Sequence, residues 1–410
     1  MKIAIVGGGI TGCLSALSLH DQGHDVSVYE AAEVLGGIHR DLLVGEEVYF
    51  QNCQYLNVGS DAIAIAKKLP GLKLVEFPHR YGSVNDFFGQ AIRHDNFAQV
   101  VVPGKPKFQF TDSTFLNLHE RLSAYTPEVS LELLGWARRF GDPLDLEVSN
   151  CHHMQLGRIY YPDALDYVVA EKQRSATADD LLGVPRNCFE PPLPVQEAAL
   201  PVKGYNDFFE RVEAEFQRRG IAVNLRAPVV PLMAEGQLSF QTRREPIKAD
   251  ITVWCANPTA LAHAVLGVRL DTPVINAFNL VGKIEGDQPR DPVYYQAFCK
   301  DMPFTRIFSY DLNGPKVTVE GFLEADADIE QLQSAAELLM TRLGWTCRMI
   351  DPAFMRQKRY VLLTLRDKQL LDQLSVLLEQ NSVIPGGWQY YGRDAKIASI
   401  QASFQRVVNK

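Results

Sequence analysis

The feature that most constrains this chain is a glycine-rich stretch that follows an apolar run at the start of the sequence. Residues 2–6 (KIAIV) have the composition of a buried parallel strand, and they lead directly into Gly7, Gly9 and Gly12, a G-x-G-x-x-G pattern. In this pattern the first glycine permits a tight turn and the second lets a pyrophosphate approach the backbone. The third lets the following helix pack closely on its strand. The pattern therefore predicts a strand, loop and helix that bind the phosphates of a dinucleotide.

The residues after the loop complete this unit. A helix is predicted over residues 13–21, and its free N–H groups would receive the pyrophosphate, so Ile10 and Thr11 join the candidate cofactor-binding residues. Residues 25–30 predict a second strand that ends in Glu30. Its spacing from the last glycine is close to the ~20 residues expected for a carboxylate that holds ribose hydroxyls.

Gly36 and Gly37 follow Glu30 in an E-x6-G-G arrangement. This arrangement resembles the extended fingerprint of the glutathione-reductase-like flavoproteins, the branch that includes amine oxidases, desaturases and UDP-galactopyranose mutases. Two adjacent glycines there would bring the backbone close to the cofactor a second time. The resemblance implies that the dinucleotide is FAD rather than a nicotinamide cofactor.

Composition excludes several other classes of protein. The net charge of −8 argues against a nucleic-acid-binding surface, and the seven cysteines are scattered without a CxxC pair, so neither a metal site nor a disulfide framework is predicted. No apolar run reaches the ~18 residues of a membrane span. We expect a cytoplasmic enzyme with a small-molecule substrate and neither a nucleic-acid nor a membrane partner; a homodimer is compatible with the sequence.

The pattern along the whole chain predicts an α/β protein: a Rossmann-type FAD-binding domain with a mostly helical inserted lobe and a substrate-side β-sheet. A strand at 249–258 reads as a return to the dinucleotide domain, and alternating apolar residues at 274–281 and 317–322 read as sheet strands. The predicted division is FAD-binding residues 1–60 and 201–270, helical lobe 61–200, sheet domain 271–380 and a C-terminal FAD-binding segment 381–410.

Several segments resemble UDP-galactopyranose mutases in the same order along the chain. Residues 302–307 (MPFTRI) resemble the V-P-Y-T-R-I segment of that family, and Glu320 follows where the family has a glutamate facing the flavin. Tyr360 stands where the family has a substrate-facing tyrosine. The resemblance implies Arg306, Glu320 and Tyr360 as catalytic residues, with the Arg306 guanidinium gripping a diphosphate.

The same resemblance extends to the C-terminus and to the reaction. Residues 390–394 (YYGRD) resemble a C-terminal FAD-binding segment, which implies that Tyr391 and Asp394 contact the cofactor. The reaction implied is pyranose–furanose isomerisation of a nucleotide-linked sugar through flavin N5, or a related reaction.

Two departures from the mutase pattern leave alternatives open. Gln51 and Asn52 lie where the mutases carry a G-P-H-x-F-H stretch, and no arginine-bearing I-P-V-R segment is found. The two amides could instead hydrogen-bond the isoalloxazine ring. The chain is therefore also compatible with an oxidoreductase of the amine-oxidase or desaturase type, which passes hydride from substrate to flavin. Arg306 could likewise be a structural ion pair with Glu320. A non-enzymatic scaffold is disfavoured because the FAD loop is intact.

Overall fold

The computed structural model describes residues 1–51, 54–85, 92–93, 114–153, 159–160, 165–183, 197–272, 274–286, 292–299, 302–310, 315–322, 328–350, 355–390 and 392–409. The strands of the described residues are, in chain order, β1 (Lys2–Val6), β2 (Asp25–Tyr29), β3 (Leu42–Val44), β4 (Glu47–Tyr49), β5 (Leu56–Asn57), β6 (Leu74–Pro78), β7 (Arg80–Asn85), β8 (Ile92–Arg93), β9 (Ile159–Tyr160), β10 (Leu182–Gly183), β11 (Glu197–Pro201), β12 (Ala222–Asn224), β13 (Val230–Ala234), β14 (Gln237–Gln241), β15 (Ile251–Trp254), β16 (Val274–Glu285), β17 (Val293–Phe298), β18 (Phe304–Ser309), β19 (Lys316–Phe322), β20 (Thr346–Met349), β21 (Met355–Val361) and β22 (Val383–Pro385). The helices are α1 (Ile10–Asp21), α2 (Asp61–Ala66), α3 (Leu118–Leu122), α4 (Pro127–Ala137), α5 (Asn150–His153), α6 (Leu165–Arg174), α7 (Ala176–Leu181), α8 (Gly204–Arg219), α9 (Thr259–Leu266), α10 (Ile329–Arg342), α11 (Leu365–Gln380) and α12 (Arg393–Val408).

A five-stranded parallel sheet forms the dinucleotide-binding domain, in the order β12-β2-β1-β15-β22. The apolar strand β1 lies between β2 and β15, so Val6 is opposite both Tyr29 and Trp254. The predicted return of the chain at residues 249–258 is confirmed, because β15 pairs directly with β1. The C-terminal strand β22 pairs with β15, which brings residues far apart in sequence to one carboxyl edge of the sheet.

Helices cover both faces of this sheet, as expected where parallel strands are apolar on both sides. On one face, side chains of α1, α8 and α12 share a buried cluster with Ile3, Ile5 and Val28. On the other face, α9 and α11 pack with Val6, Trp254 and Val383. The predicted α/β class with a Rossmann-type sheet is confirmed by this arrangement.

A second, eight-stranded sheet carries the order β20-β16-β19-β18-β17-β7-β8, and β21 also pairs with β16. Strand β7 runs parallel to β17, although the other described pairs of this sheet are antiparallel. A three-stranded sheet, β5-β11-β6, connects the two halves. The range 61–200 therefore contributes strands as well as helices α2 to α7. The exact domain boundaries stay a prediction.

The helices begin and end at local sequence signals, and their observed bounds differ slightly from the predicted ones. Helix α1, predicted over residues 13–21, begins earlier, at Ile10, and helix α4 begins at Pro127, a residue well suited to a first helical turn. Helix α8 ends at Gly220, which adopts the left-handed conformation with φ 75°. No helix in the described ranges combines the length and apolarity needed to cross a membrane.

The segment after the paired glycines is anchored to α8 by Asp41. The backbone N–H of Asn206 donates to Asp41 Oδ2 at 2.8 Å, so a distant carboxyl caps the first turn of α8. A Cβ at Gly204 would lie 2.3 Å from the same oxygen, which explains the glycine. Burial raises the pKa of Asp41 to about 7, and the hydrogen bonds from the backbone of Tyr205 and Asn206 only partly oppose this.

We predict that Asp41→Asn makes the folded state more stable at pH 8, but not at pH 4. The folded-state pKa lies above the ordinary value of 3.8, so the stability linked to this carboxyl is complete at acid pH and is lost as the pH rises to about 7. Asparagine keeps the acceptor without the buried charge, and the gain should be on the order of a few kcal/mol. Urea unfolding across this pH range measures it. The exposed Asp61→Asn serves as control, and equal pH profiles for wild type and Asp41→Asn would contradict the prediction.

Candidate cofactor and active site

The glycine loop has two glycines fixed by protein packing and one that faces open space. A Cβ on Gly12 would lie 2.0 Å from the Gly7 carbonyl oxygen, and a Cβ on Gly7 would lie 2.9 Å from the Ala256 nitrogen. A Cβ on Gly9, in contrast, would meet no described atom within 4 Å. A ligand can therefore approach the backbone at Gly9, directly before the buried Ile10 at the N-terminus of α1.

Glu30 lies against the same loop. Its Oε2 accepts the backbone N–H of Gly8 at 2.7 Å, and its Oε1 accepts the N–H of Ala32 at 2.7 Å. The paired glycines approach from the other side, because the Gly36 N–H donates to the Gly8 carbonyl at 2.8 Å. Gly36 has φ 114°, a conformation that favours glycine. Glu30 and the Gly36–Gly37 pair thus contact the glycine loop through the two polar backbone groups of Gly8.

The C-terminal segment reaches the same edge of the parallel sheet. A Cβ on Gly386 would lie 2.3 Å from the Trp254 carbonyl oxygen, so this turn packs directly on the end of β15. The Trp388 Nε1–H donates to the Ala256 carbonyl at 3.0 Å. Ligands of open α/β sheets bind at the carboxyl ends of the strands. The N-terminus of α12 therefore lies on the ligand-binding edge.

Two hydrogen bonds join the N-terminus of α12 to the segment 54–57, which follows the predicted flavin contacts. Arg393 Nη2 donates to Gln54 Oε1 at 2.7 Å, and Asn57 Nδ2 donates to Asp394 Oδ2 at 2.8 Å. The second oxygen of Asp394, Oδ1, is buried without a hydrogen-bond partner among the described residues. Such an acceptor is costly unless a ligand donates to it.

These residues fit an extended dinucleotide that contains FAD-like hydroxyl and phosphate groups. Gly9 and the N–H groups at the start of α1 could take the pyrophosphate, and Glu30 could take the adenosine ribose. Asp394 could accept a hydroxyl of the ribityl chain with its orphaned oxygen. Gln51 is buried and precedes residues 54–57 in the chain, and its side-chain amide could hydrogen-bond the flavin ring. The fit extends along the whole edge of the sheet.

A row of polar side chains crosses the eight-stranded sheet on a single face. Directly opposed residues of neighbouring strands share a face, and the register aligns Asn279, Glu320, Arg306, Gln296 and Ser83 on five successive strands. We call these five residues the polar row. All but the half-buried Gln296 are buried. The row therefore places buried polar side chains next to one another across the middle of the sheet.

The polar row lies between the core of the helical lobe and segment 50–57. Phe322, two residues after Glu320, packs at 4.3 Å between ring centroids against Phe140 of the lobe. Thr318, two residues before Glu320, donates through Oγ1 to the Phe50 carbonyl at 3.0 Å. The row therefore flanks the residues that continue into Gln51 and the α12 N-terminus.

Arg306 and Glu320 form a buried ion pair at the centre of the row. Arg306 Nε donates to Glu320 Oε1 at 2.9 Å, and Nη2 donates to the same oxygen. The two residues are 3% and 0% exposed, so neither charge is screened by solvent. The structure thus contains the ion pair that the sequence left as the alternative role of Arg306. A guanidinium neutralised in this way contributes little net charge to a diphosphate site.

The remaining predicted residues are placed as follows. The backbone of Tyr360, on β21, pairs with the backbone of Ile275 on β16. Asn52 and Tyr391 lie outside the described residues. Sequence reasoning missed Asn57, Arg393 and Gln296. For Gln296 the available signal was a single polar residue within an otherwise apolar strand, whereas nothing local marks Asn57 or Arg393.

Comparison with known proteins supports the dinucleotide-binding unit. Residues 5–49 match the model of the NAD(P)-binding Rossmann-like domain. Over 103 residues the chain is 32% identical to a protein described as an uncharacterized protein in the nifH2 3′ region of Methanothermococcus thermolithotrophicus. The match covers 25% of this chain and 93% of that protein.

Solved structures share the fold over the whole chain. A reduced UDP-galactopyranose mutase superposes with a TM-score of 0.71 at 11% identity, covering 100% of this chain and 96% of the mutase. A double mutant of putrescine oxidase, from a redesign of its cofactor binding, superposes with a TM-score of 0.60 at 12% identity, covering 100% and 99% of the two chains. The predicted resemblance to mutases and amine oxidases is confirmed as a likeness of fold, and both relatives are enzymes.

We predict that Gly9→Ala leaves the apoprotein folded but weakens cofactor retention at least tenfold. The added methyl meets no protein atom within 4 Å and the backbone has φ −71°, which alanine tolerates, so only a ligand would be obstructed. Gly135→Ala, in α4 and equally open, is the matched control and should leave both properties unchanged. Thermal melting and the flavin absorbance of the purified proteins measure the two effects. Full retention of cofactor by Gly9→Ala would be inconsistent with a pyrophosphate at this loop.

We predict that Arg306→Met destabilises the protein by about 3–5 kcal/mol, because it leaves the Glu320 carboxylate buried without its partner. Adding Glu320→Gln should recover most of this loss, since the second change removes the uncompensated charge. Chemical unfolding of the two single variants and the double variant measures the coupling. Additive losses in the double variant would show that the pair makes no direct interaction.

Proposed function

We propose that this chain, which belongs to the same family as the Methanothermococcus protein, is an FAD-dependent enzyme. The observation that carries this proposal is the set of hydrogen-bonding groups at the carboxyl edge of the parallel sheet, which includes Gly9, Glu30 and the unpartnered Oδ1 of Asp394. Bound FAD would supply an electron-accepting and nucleophilic ring at N5. The chain's own residues would hold the cofactor's phosphates and hydroxyls and exclude water from the ring.

We propose that the substrate is a nucleotide-linked sugar and that the reaction is a pyranose–furanose isomerisation or a related one. This proposal is supported by the MPFTRI segment, whose Arg306 and the opposed Glu320 lie in the polar row. In that role Glu320 acts as a positioning residue, because its carboxylate fixes the guanidinium at 2.9 Å. The half-buried Gln296, opposite Arg306, would be the group of the row most able to contact a sugar hydroxyl.

The neutralised Arg306 favours a second candidate, an oxidoreductase that passes hydride from substrate to flavin. A departing diphosphate needs cations, and a buried guanidinium already paired with a carboxylate stabilises it only weakly. A neutral organic substrate would not meet this difficulty. The same polar row could then orient an amine or hydroxyl beside the flavin.

The two reactions differ in their electron balance, and anaerobic stopped-flow spectroscopy separates them. A mutase needs flavin reduced in advance and consumes no electrons, so UDP- and dTDP-sugars should perturb the spectrum of the dithionite-reduced protein without reoxidising it. We expect this outcome, together with sugar isomerisation detected by chromatography. Stoichiometric bleaching of oxidised flavin by a substrate would establish the oxidoreductase instead. A purified protein without flavin would refute the FAD proposal itself.

A further inference from the structure

A buried histidine outside the residues discussed so far lies in a cluster of aromatic rings. His79 is 2% exposed, and its Nε2 lies 2.9 Å from Tyr310 Oη. The Tyr55 ring lies tilted by 37° against the imidazole with centroids 4.1 Å apart, and the Tyr294 ring lies nearly parallel to it at 6.1 Å. Phe77 completes the group at 6.4 Å. We call Tyr55, Phe77, Tyr294 and Tyr310 the aromatic cage of His79.

The cage connects the candidate flavin site with a small cavity on the other side. Tyr55 lies in the segment whose neighbours Gln54 and Asn57 bond to the N-terminus of α12. Tyr310 lines a cavity of about 20 Å³ together with Phe50, Lys316 and Thr318. A cavity of this size holds one water molecule. Lys316 is only half-buried, so the cavity lies close to solvent.

Burying an imidazole among aromatic rings costs free energy, because its polar nitrogens leave water. This cost favours a role that uses the ability of the imidazole to bind a proton. Phenylalanine would fill the same apolar space without a buried polar group that needs a partner. The faces of aromatic rings, however, attract a cation within about 6 Å of the centroid, so the cage lowers the cost of an imidazolium. Histidine is also the side chain that changes charge near neutral pH.

We propose that His79 is a redox-linked proton acceptor, which takes up a proton through Tyr310 when the flavin is reduced. This inference rests on the proposed function, since it takes the flavin ring to lie beside residues 51–57. If a substrate C–H bond or a reduced nicotinamide gave a hydride to bound FAD, the donor would be oxidised by two electrons and the anionic reduced flavin would carry one additional negative charge near the cage. One proton then passes from Tyr310 Oη to His79 Nε2, and Tyr310 regains a proton from the cavity and so from solvent. The positive charge on His79 compensates the negative charge on the reduced flavin. His79 therefore acts through its charge and does not touch the substrate.

Three tyrosines lie against His79 from different elements. They are Tyr55 of the 54–57 segment, Tyr294 of β17 and Tyr310 at the end of β18, and the Tyr310 hydroxyl lies within hydrogen-bond distance of the imidazole. Arg80 follows His79 in the chain, and Lys316 shares the cavity with Tyr310. The negative charge of a reduced flavin would favour an imidazolium at His79.

The test is the number of protons taken up per flavin during anaerobic photoreduction of the FAD-bound protein, followed with an indicator dye in weak buffer between about pH 5.5 and 8.5. The flavin midpoint potential is measured over the same range, and free FAD is the reference. We expect the wild type to take up as much as one proton more than free FAD, with a steeper potential–pH slope. His79→Phe, which keeps the ring volume, should abolish the difference, and Tyr310→Phe should move its pH midpoint. Tyr167→Phe, which removes the hydroxyl of an exposed tyrosine on α6, is the control and should behave as wild type.

Each outcome decides the inference. Wild-type protein that holds FAD but takes up protons as free FAD does overturns the role of His79 alone, and this result needs no variant. An extra proton that persists in His79→Phe, or in His79→Gln if the first variant does not fold, assigns the uptake to another group and also overturns it. Protein that holds no FAD overturns both this inference and the proposed function.

Discussion

The close contact between the Gly7 carbonyl and Gly12 sets the geometry on which the rest of the site depends. Any side chain at Gly12 would collide with that oxygen, at 2.0 Å from a Cβ, so α1 can start directly beside the end of β1. The same loop receives Ala256 from β15 and the Gly36 N–H from the paired glycines. Three separate parts of the chain are thereby packed against one loop at the carboxyl edge of the sheet.

The second constraint is electrostatic and lies in the eight-stranded sheet. A buried ion pair such as Arg306–Glu320 gains little net stability over an apolar pair, because both ions lose their hydration. Asn279, directly opposite Glu320, is fully buried and its amide has no partner within the described ranges. Polar groups concentrated in this way reduce stability, so their presence points to a requirement other than folding. Contact with a substrate beside the flavin would meet that requirement.

Residues 50, 51 and 54–57 join these two constraints. Phe50 is held by Thr318 of the sheet, and Gln54 and Asn57 are held by the N-terminus of α12. The Tyr55 ring lies against the His79 imidazole. A charge that develops at this segment would act on the polar row, on Asp394 and on His79 together. The family resemblance in sequence is weakest at this segment, and we infer that it distinguishes this protein's chemistry from that of the mutases.

The sequence by itself determined the dinucleotide unit, because Gly7, Gly12 and Glu30 act through local backbone geometry that the spacing of residues encodes. It also predicted the return of the chain at β15, through the resemblance to flavoproteins whose chain comes back to this domain late in the sequence. The pairing of Arg306 with Glu320 and the cage around His79 were decided only by the tertiary structure. Both depend on strand register and on contacts between segments far apart in the chain, such as Tyr55 with His79 and Tyr310. No local periodicity encodes such contacts, because they form only when several elements pack together.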